Sequence, residues 1–286
     1  MMNRRNRLLL CFCARPTHVA GVAENTEKER VGEMKILKKR YFAGAVCEQI
    51  VWRASDRITV FEKAQPKPRF KDEEERIRHR QEQGRKRHAR SFNANFGPDS
   101  LYITLTFSNE FEVHSFEEAR VIRETFARRL LYKYPNAVFR IYMGRGKGTN
   151  RIHFHMVCKG VPEGYIKRQW KFGNVTHVRA LRAHNYYDGV DHGQDYTGLA
   201  NYLYDHWTEE QGGRHYRRTK NEVKPAEEPT VQSHRNYSVE HPPIAPKGYT
   251  LVSAEDTPYG CMYFKYVAFP ENEKTKEKHT ARRRWG

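Results

Sequence analysis

Residues 151–158, RIHFHMVC, constrain the fold of this chain more than any other segment. Alternate side chains of a strand point to opposite faces, so His153 and His155 share one face while Ile152, Phe154 and Met156 share the other. An apolar face that must be buried, backing a face with two imidazoles, calls for a sheet with a core on at least one side. The preceding segment AVFRIYM (137–143) also has strand composition, and the intervening GRGKGTN is turn chemistry. The two strands are therefore expected as a hairpin.

The flanking segments extend the pattern. LYITLTF (101–107) alternates Leu101, Ile103, Leu105 and Phe107 with Tyr102, Thr104 and Thr106, giving a third strand. Then SFEEARVIRETFARRLLYKYPN offers Ser115 as N-cap, Glu117 and Glu118 in a first turn, and an apolar stripe at Ala119, Ile122, Phe126 and Leu130. A short helix in EGYIKRQWKFG, a strand in NVTHVRAL, a loop rich in His, Tyr, Asp and Gly, and a helix over about 196–207 complete the series. This order predicts an α+β fold, an antiparallel sheet with helices on one face.

Outside that series, residues 1–33 read as a flexible leader and 34–61 as a hairpin or pair of short strands. Residues 70–94 begin with acidic and end with basic side chains, the order that suits a helix dipole, and predict a solvated helix that Gly84 weakens. The domain reading is a leader (1–33), a main domain (34–210) including this basic helix, a polar linker (211–245), a terminal hairpin (246–270) and a basic tail (271–286).

With 14 histidines in the chain, a His-x-His pair arises readily by chance, so the pair needs company. YTGLANYLYDHW supplies it. Leu199, Tyr202, Leu203 and His206 fall on one helical face, with Tyr202 expected to turn towards the sheet. A tyrosine can act as a covalent nucleophile, but at an ordinary pKa of about 10 only about one phenol in a thousand is ionised at neutral pH. Such a group needs a base, or a cation that polarises its target, and two imidazoles on one strand face could hold the cation.

Charge points to the partner. The chain has 52 Lys plus Arg against 34 Asp plus Glu, a formal +18, which favours a polyanion. Arg85, Lys86, Arg87 and Arg90 in the basic helix, Arg214, Arg217 and Arg218 in RHYRR, and the tail around Arg282–Arg284 are the candidate phosphate contacts. An apolar content of 38% with 13% aromatics excludes disorder throughout. No run of 18 apolar residues is available for a membrane helix. The apolar run Leu8–Ala14 behind a basic head is short for a signal peptide and is interrupted by Arg15. Five cysteines without a CxxC pair fit free thiols in a reducing cytosol better than a disulfide framework or a zinc ribbon.

Taken in order, LYITLTF, RIHFHMV, QWKFGNVTHVRAL and LANYLYDHW resemble the signature of the HUH endonuclease superfamily, specifically the rolling-circle replication initiators of bacterial plasmids, filamentous phages and integrated elements. The likeness spans roughly residues 34–270. It implies a five-stranded antiparallel sheet akin to an RNA-recognition module, with flanking helices. It also implies a divalent ion, Mg or Mn, on His153 and His155, and Tyr202 as the nucleophile. Tyr202 would cut single-stranded DNA at a replication origin, leaving a 5′-phosphotyrosine and a free 3′-OH for a host polymerase. A host helicase would separate the strands, because no ATP-binding GxxxxGK[ST] motif is present, and the bacterial cytoplasm would be the setting.

Two positions depart from the family pattern. Asp205 stands where many relatives carry Lys, which leaves Tyr196 and Tyr204 as alternative nucleophiles. YMGRGKG replaces an acidic third ligand, leaving Glu110, Glu112 and His177 as candidates. Related alternatives are a relaxase or transposase with the same chemistry, a non-catalytic basic binder of single strands, and a metal-dependent hydrolase that uses water.

Overall fold

The computed structural model describes residues 34–55, 70–146, 148–187, 189–257 and 260–269. The leader 1–33 and the tail 271–286 lie outside the described residues. In chain order the strands are β1 (Met34–Ala43), β2 (Val46–Ser55), β3 (Leu101–Thr106), β4 (Val138–Arg145), β5 (Ile152–Lys159), β6 (Val175–Ala180), β7 (Tyr186–Tyr187), β8 (Val190–Asp191), β9 (Tyr216–Arg218), β10 (Ala226–Glu227), β11 (Val231–Ser233), β12 (Tyr249–Asp256) and β13 (Cys261–Ala268). The α-helices are α1 (Glu73–Asn93), α2 (Phe116–Lys133), α3 (Glu163–Gln169) and α4 (Thr197–Tyr204). None of the described helices is long and apolar enough to cross a membrane.

The fold is α+β, as its element order implies. Its central sheet has five antiparallel strands in the order β6-β3-β5-β4-β9. The pleat divides each strand as the sequence pattern requires. Ile103 and Leu105 of β3, Phe139 and Ile141 of β4, and Phe154 and Met156 of β5 are fully buried on one face with Phe126 and Leu130 of α2 and with Trp170 just after α3. Each such side chain contributes about 1.5–3 kcal/mol of transfer free energy. Ser115 caps α2 by accepting from the Glu118 amide at 3.2 Å, which holds the stripe in register with the sheet.

Helices cover both faces rather than one. The opposite side of β4 and β5 carries Tyr142 and Val157, and these bury against Ala89 and Phe92 of α1 and Ala200 and Leu203 of α4. α1 is solvated over its N-terminal part, as its charges suggest, but not at its C-terminal end. Asp72 caps it by accepting from the Glu75 amide at 2.6 Å, but His88, Ala89, Arg90, Phe92 and Asn93 are buried at its C-terminal end. Its period-3.6 apolar positions are few, and they are diluted by charged residues that are themselves packed.

A second sheet joins the first two and the last two of the described strands. The β1–β2 hairpin and the β12–β13 hairpin pair through β2 and β13, from Val46↔Val267 to Trp52↔Cys261. The stretch 211–245, expected as a linker, adds β9 to the central sheet and β10 and β11 to the outer edge of β1. Strands of two or three residues are too short to show an alternation, so they are silent in sequence. Two buried ion pairs tie this second sheet to the helical side of the central one. Arg90 pairs with Glu48 of β2, and Lys265 of β13 pairs with Asp195 at 3.0 Å, next to the start of α4.

Candidate metal centre and its tyrosine

The second face of the central sheet is not wholly covered. Between α4 and β6 lies a cleft of about 490 Å³, lined by β3, β5, β6 and Tyr202. Across its floor, register aligns Thr104, His155 and Tyr142 in one row and Thr106, His153 and Gly144 in the next. The hairpin and the period-2 pattern thus deliver both imidazoles to the one open strip of the sheet.

The three imidazoles of His153, His155 and His206 converge there. His153 Nε2 lies 3.1 Å from His155 Nε2. Zn–N bonds of about 2.0–2.1 Å put two nitrogens on one ion about 2.8–3.4 Å apart, between octahedral and tetrahedral geometry. The pair therefore has the spacing of two ligands on one cation. The other ring nitrogens are occupied in the way ligating histidines require. His153 Nδ1 donates to the Arg151 carbonyl at 3.4 Å and His206 Nδ1 to the Tyr202 carbonyl at 2.7 Å, which leaves the Nε2 side of each ring for the cluster. His155 Nδ1 faces the Tyr102 hydroxyl at 2.7 Å and Thr104 Oγ1 at 3.2 Å, and Tyr102 also stacks on its ring.

Electrostatics keep the pair in the ligand form. Burial, reinforced by His153 and His206, lowers the His155 pKa to about 3, and burial lowers that of His153 as well. Both imidazoles are therefore neutral at neutral pH.

The third member is His206, not Glu110, Glu112 or His177. Glu110 is exposed, Glu112 pairs with Arg151 at 3.5 Å, and His177 lines the cleft outside the cluster. His206 reaches in because α4 ends at Tyr204, earlier than its pattern suggests, and the following turn folds the chain back. Gln211, buried, holds that turn by donating to the carbonyls of His206 and Met143 at 2.7 and 3.1 Å. Gly144 leaves the room, since a Cβ there would lie 2.7 Å from His206 Cδ2. Gly144, the first of the three glycines of YMGRGKG, thus makes room for the third imidazole in a segment that carries no acidic residue.

Tyr202 is half exposed and looks over the open strip instead of into the core. Its ring centroid is 4.3 Å from that of His206 and 5.8 Å from that of His155. The alternatives point elsewhere. Tyr196 is buried, donates to the Arg182 carbonyl at 2.8 Å, and has its pKa raised to about 12 by burial. Tyr204 stacks on His215 at 4.2 Å and lies against α1. Asp205 accepts an ion pair from Arg85 at 2.8 Å, so a cation from α1 sits at the turn that follows Tyr202.

The candidate phosphate contacts divide sharply. Arg90 is buried against Glu48 and stacks over Tyr41, so it is a packing cation and not a surface contact. Lys86 pairs with Glu82, Arg217 with Glu124 and Arg218 with Glu222. Arg87 and Arg214 are exposed. Cys47 and Cys158 are buried, with thiols pushed up to about 12, so neither is a nucleophile at neutral pH. Comparisons of the chain with protein families, with characterised proteins and with solved structures gave no match.

Proposed function

We propose that this chain is a metal-dependent single-strand DNA endonuclease and strand transferase of HUH type that initiates rolling-circle replication. The observation that carries the reading is the half-exposed Tyr202 ring 4.3 Å from His206, over a three-imidazole cluster in an open cleft. A water-activating hydrolase would need the histidines but would leave this tyrosine idle.

When bound by His153, His155 and His206, a divalent cation supplies positive charge to the scissile phosphate. An all-imidazole donor set suits Mn better than Mg, which prefers oxygen ligands. Tyr202 Oη attacks phosphorus in line, the P–O3′ bond breaks, and the leaving 3′-oxygen takes up a proton as the phenol loses one. One phosphodiester is exchanged for another, so the bond energy is retained and the same residues can rejoin strands without ATP. His206 orients the nucleophile through its bond to the Tyr202 carbonyl, and Tyr102 fixes the His155 ring. Exposed cations such as Arg87 and Arg214 hold the strand.

Metal-dependent cutting tests this reading. With end-labelled random-sequence single strands, cleavage should require Mn²⁺ and vanish in His153→Ala/His155→Ala. Equal cleavage by that variant or in chelator would overturn it.

A further inference from the structure

β7 and β8 form a two-stranded ribbon with no core of its own, a form that is marginal in water unless something holds it. Its base is well tied. His184 Nδ1 meets Asp191 at 2.7 Å, Asn185 Nδ2 donates to the Gly193 carbonyl at 2.7 Å, and the Arg182 carbonyl accepts from Tyr196. On this fixed base the ribbon exposes Tyr186 by 68%, Tyr187 by 40% and Val190 by 48%. Tyr187 pairs with Val190 and shares its face, while Tyr186 points to the other.

The ribbon's position relates it to the cleft. Tyr187 rests on Gly198, where a Cβ would lie 2.9 Å from the tyrosine hydroxyl. Gly198 and Tyr202 are i and i+4 on α4, neighbours on one helical face about 6 Å apart along the axis. Arg179 of β6, in the cleft wall, and Arg182, on the segment that leads from β6 to the ribbon, are both exposed. Exposed rings and guanidinium groups running out from a nucleophile fit a single strand, whose bases stack on aromatics while cations follow its phosphates.

We infer that the Tyr186–Tyr187 ribbon, with Arg179 and Arg182, is a base-stacking subsite that binds the unpaired nucleotides next to the phosphate at Tyr202. This rests on the reading of the cleft as a single-strand site. The subsite sets which stretch of strand lies over Tyr202, and it needs no metal.

Binding of a fluorescent random-sequence single-stranded oligonucleotide to metal-free protein, measured by anisotropy, tests it. Tyr186→Ala/Tyr187→Ala should weaken binding by about tenfold or more, Tyr186→Phe/Tyr187→Phe should bind like the parent, and binding of the same sequence as a duplex should be unaffected. Parental affinity in the double alanine variant overturns the subsite, as does an equal loss in the phenylalanine variant. Ribbon-dependent binding by a protein that never cleaves supports the subsite and counts against the enzyme reading. Cleavage with unchanged affinity in the alanine variant does the reverse.

Discussion

His206 Nδ1 donates to the backbone carbonyl of Tyr202 at 2.7 Å, so the third imidazole and the tyrosine are set by one turn of chain. Mn²⁺ affinity, measured by calorimetry or by loss of the free-ion EPR signal, should fall at least about tenfold in His206→Ala. Gly144→Ala should produce a similar loss through its collision with the His206 ring, although no ligand is removed. Parental affinity in both variants would exclude His206 from the cluster.

Tyr102 would act on a bound cation through His155. Tyr102→Phe keeps the stacked ring but removes the hydroxyl 2.7 Å from Nδ1. The expected cost is about tenfold in Mn²⁺ affinity with melting temperature little changed, because Thr104 remains as a partner. A loss of stability without a change in affinity would make Tyr102 a packing residue only.

Acid sensitivity should trace to His88, buried against Tyr142 at 2.9 Å. Burial and then Arg140 lower its pKa from 6.5 to about 2. The unfolded chain takes up this proton below about pH 6.5 and the folded chain does not, so its contribution is complete above that pH and is lost as pH falls. The loss is about 1.4 kcal/mol per pH unit for each such histidine. In urea melts between about pH 5.5 and 4, His88→Gln should show a slope shallower by about that amount. Identical slopes would mean that His88 does not titrate on unfolding.

Among the basic residues, burial separates gripping from packing. Arg90→Ala strands the buried Glu48 carboxylate and should cost about 3–5 kcal/mol in thermal or urea melts. Arg87→Ala and Arg214→Ala should leave stability within about 0.5 kcal/mol but reduce the salt slope of single-strand binding by about 0.7 each. Unchanged slopes would remove these two arginines from the interface.

Four strands of the central sheet, β3 to β6, were legible because they are long enough to alternate and because Ser115, Phe126 and Leu130 place α2 against them, whereas the three-residue β9 was not. His153, His155 and Tyr202 were legible from the pleat and from their order along the chain. The partnership of β2 with β13 was not, since pairing across more than two hundred residues leaves no local period. His206 had a signal in its i+4 spacing from Tyr202, but its role depended on where α4 stops and on the space beside Gly144. Arg90 was misplaced because the buried Glu48 that neutralises it lies in another element.

The most direct test of the account is the identity of the attacking atom. Protein incubated with random-sequence single strands and Mn²⁺ should yield a denaturant-stable protein–DNA adduct. After nuclease digestion, mass spectrometry should place the nucleotide on the Tyr202 phenol, and Tyr202→Phe should form no adduct. An adduct on Tyr196 or Tyr204, or cleavage without an adduct, would contradict the assignment.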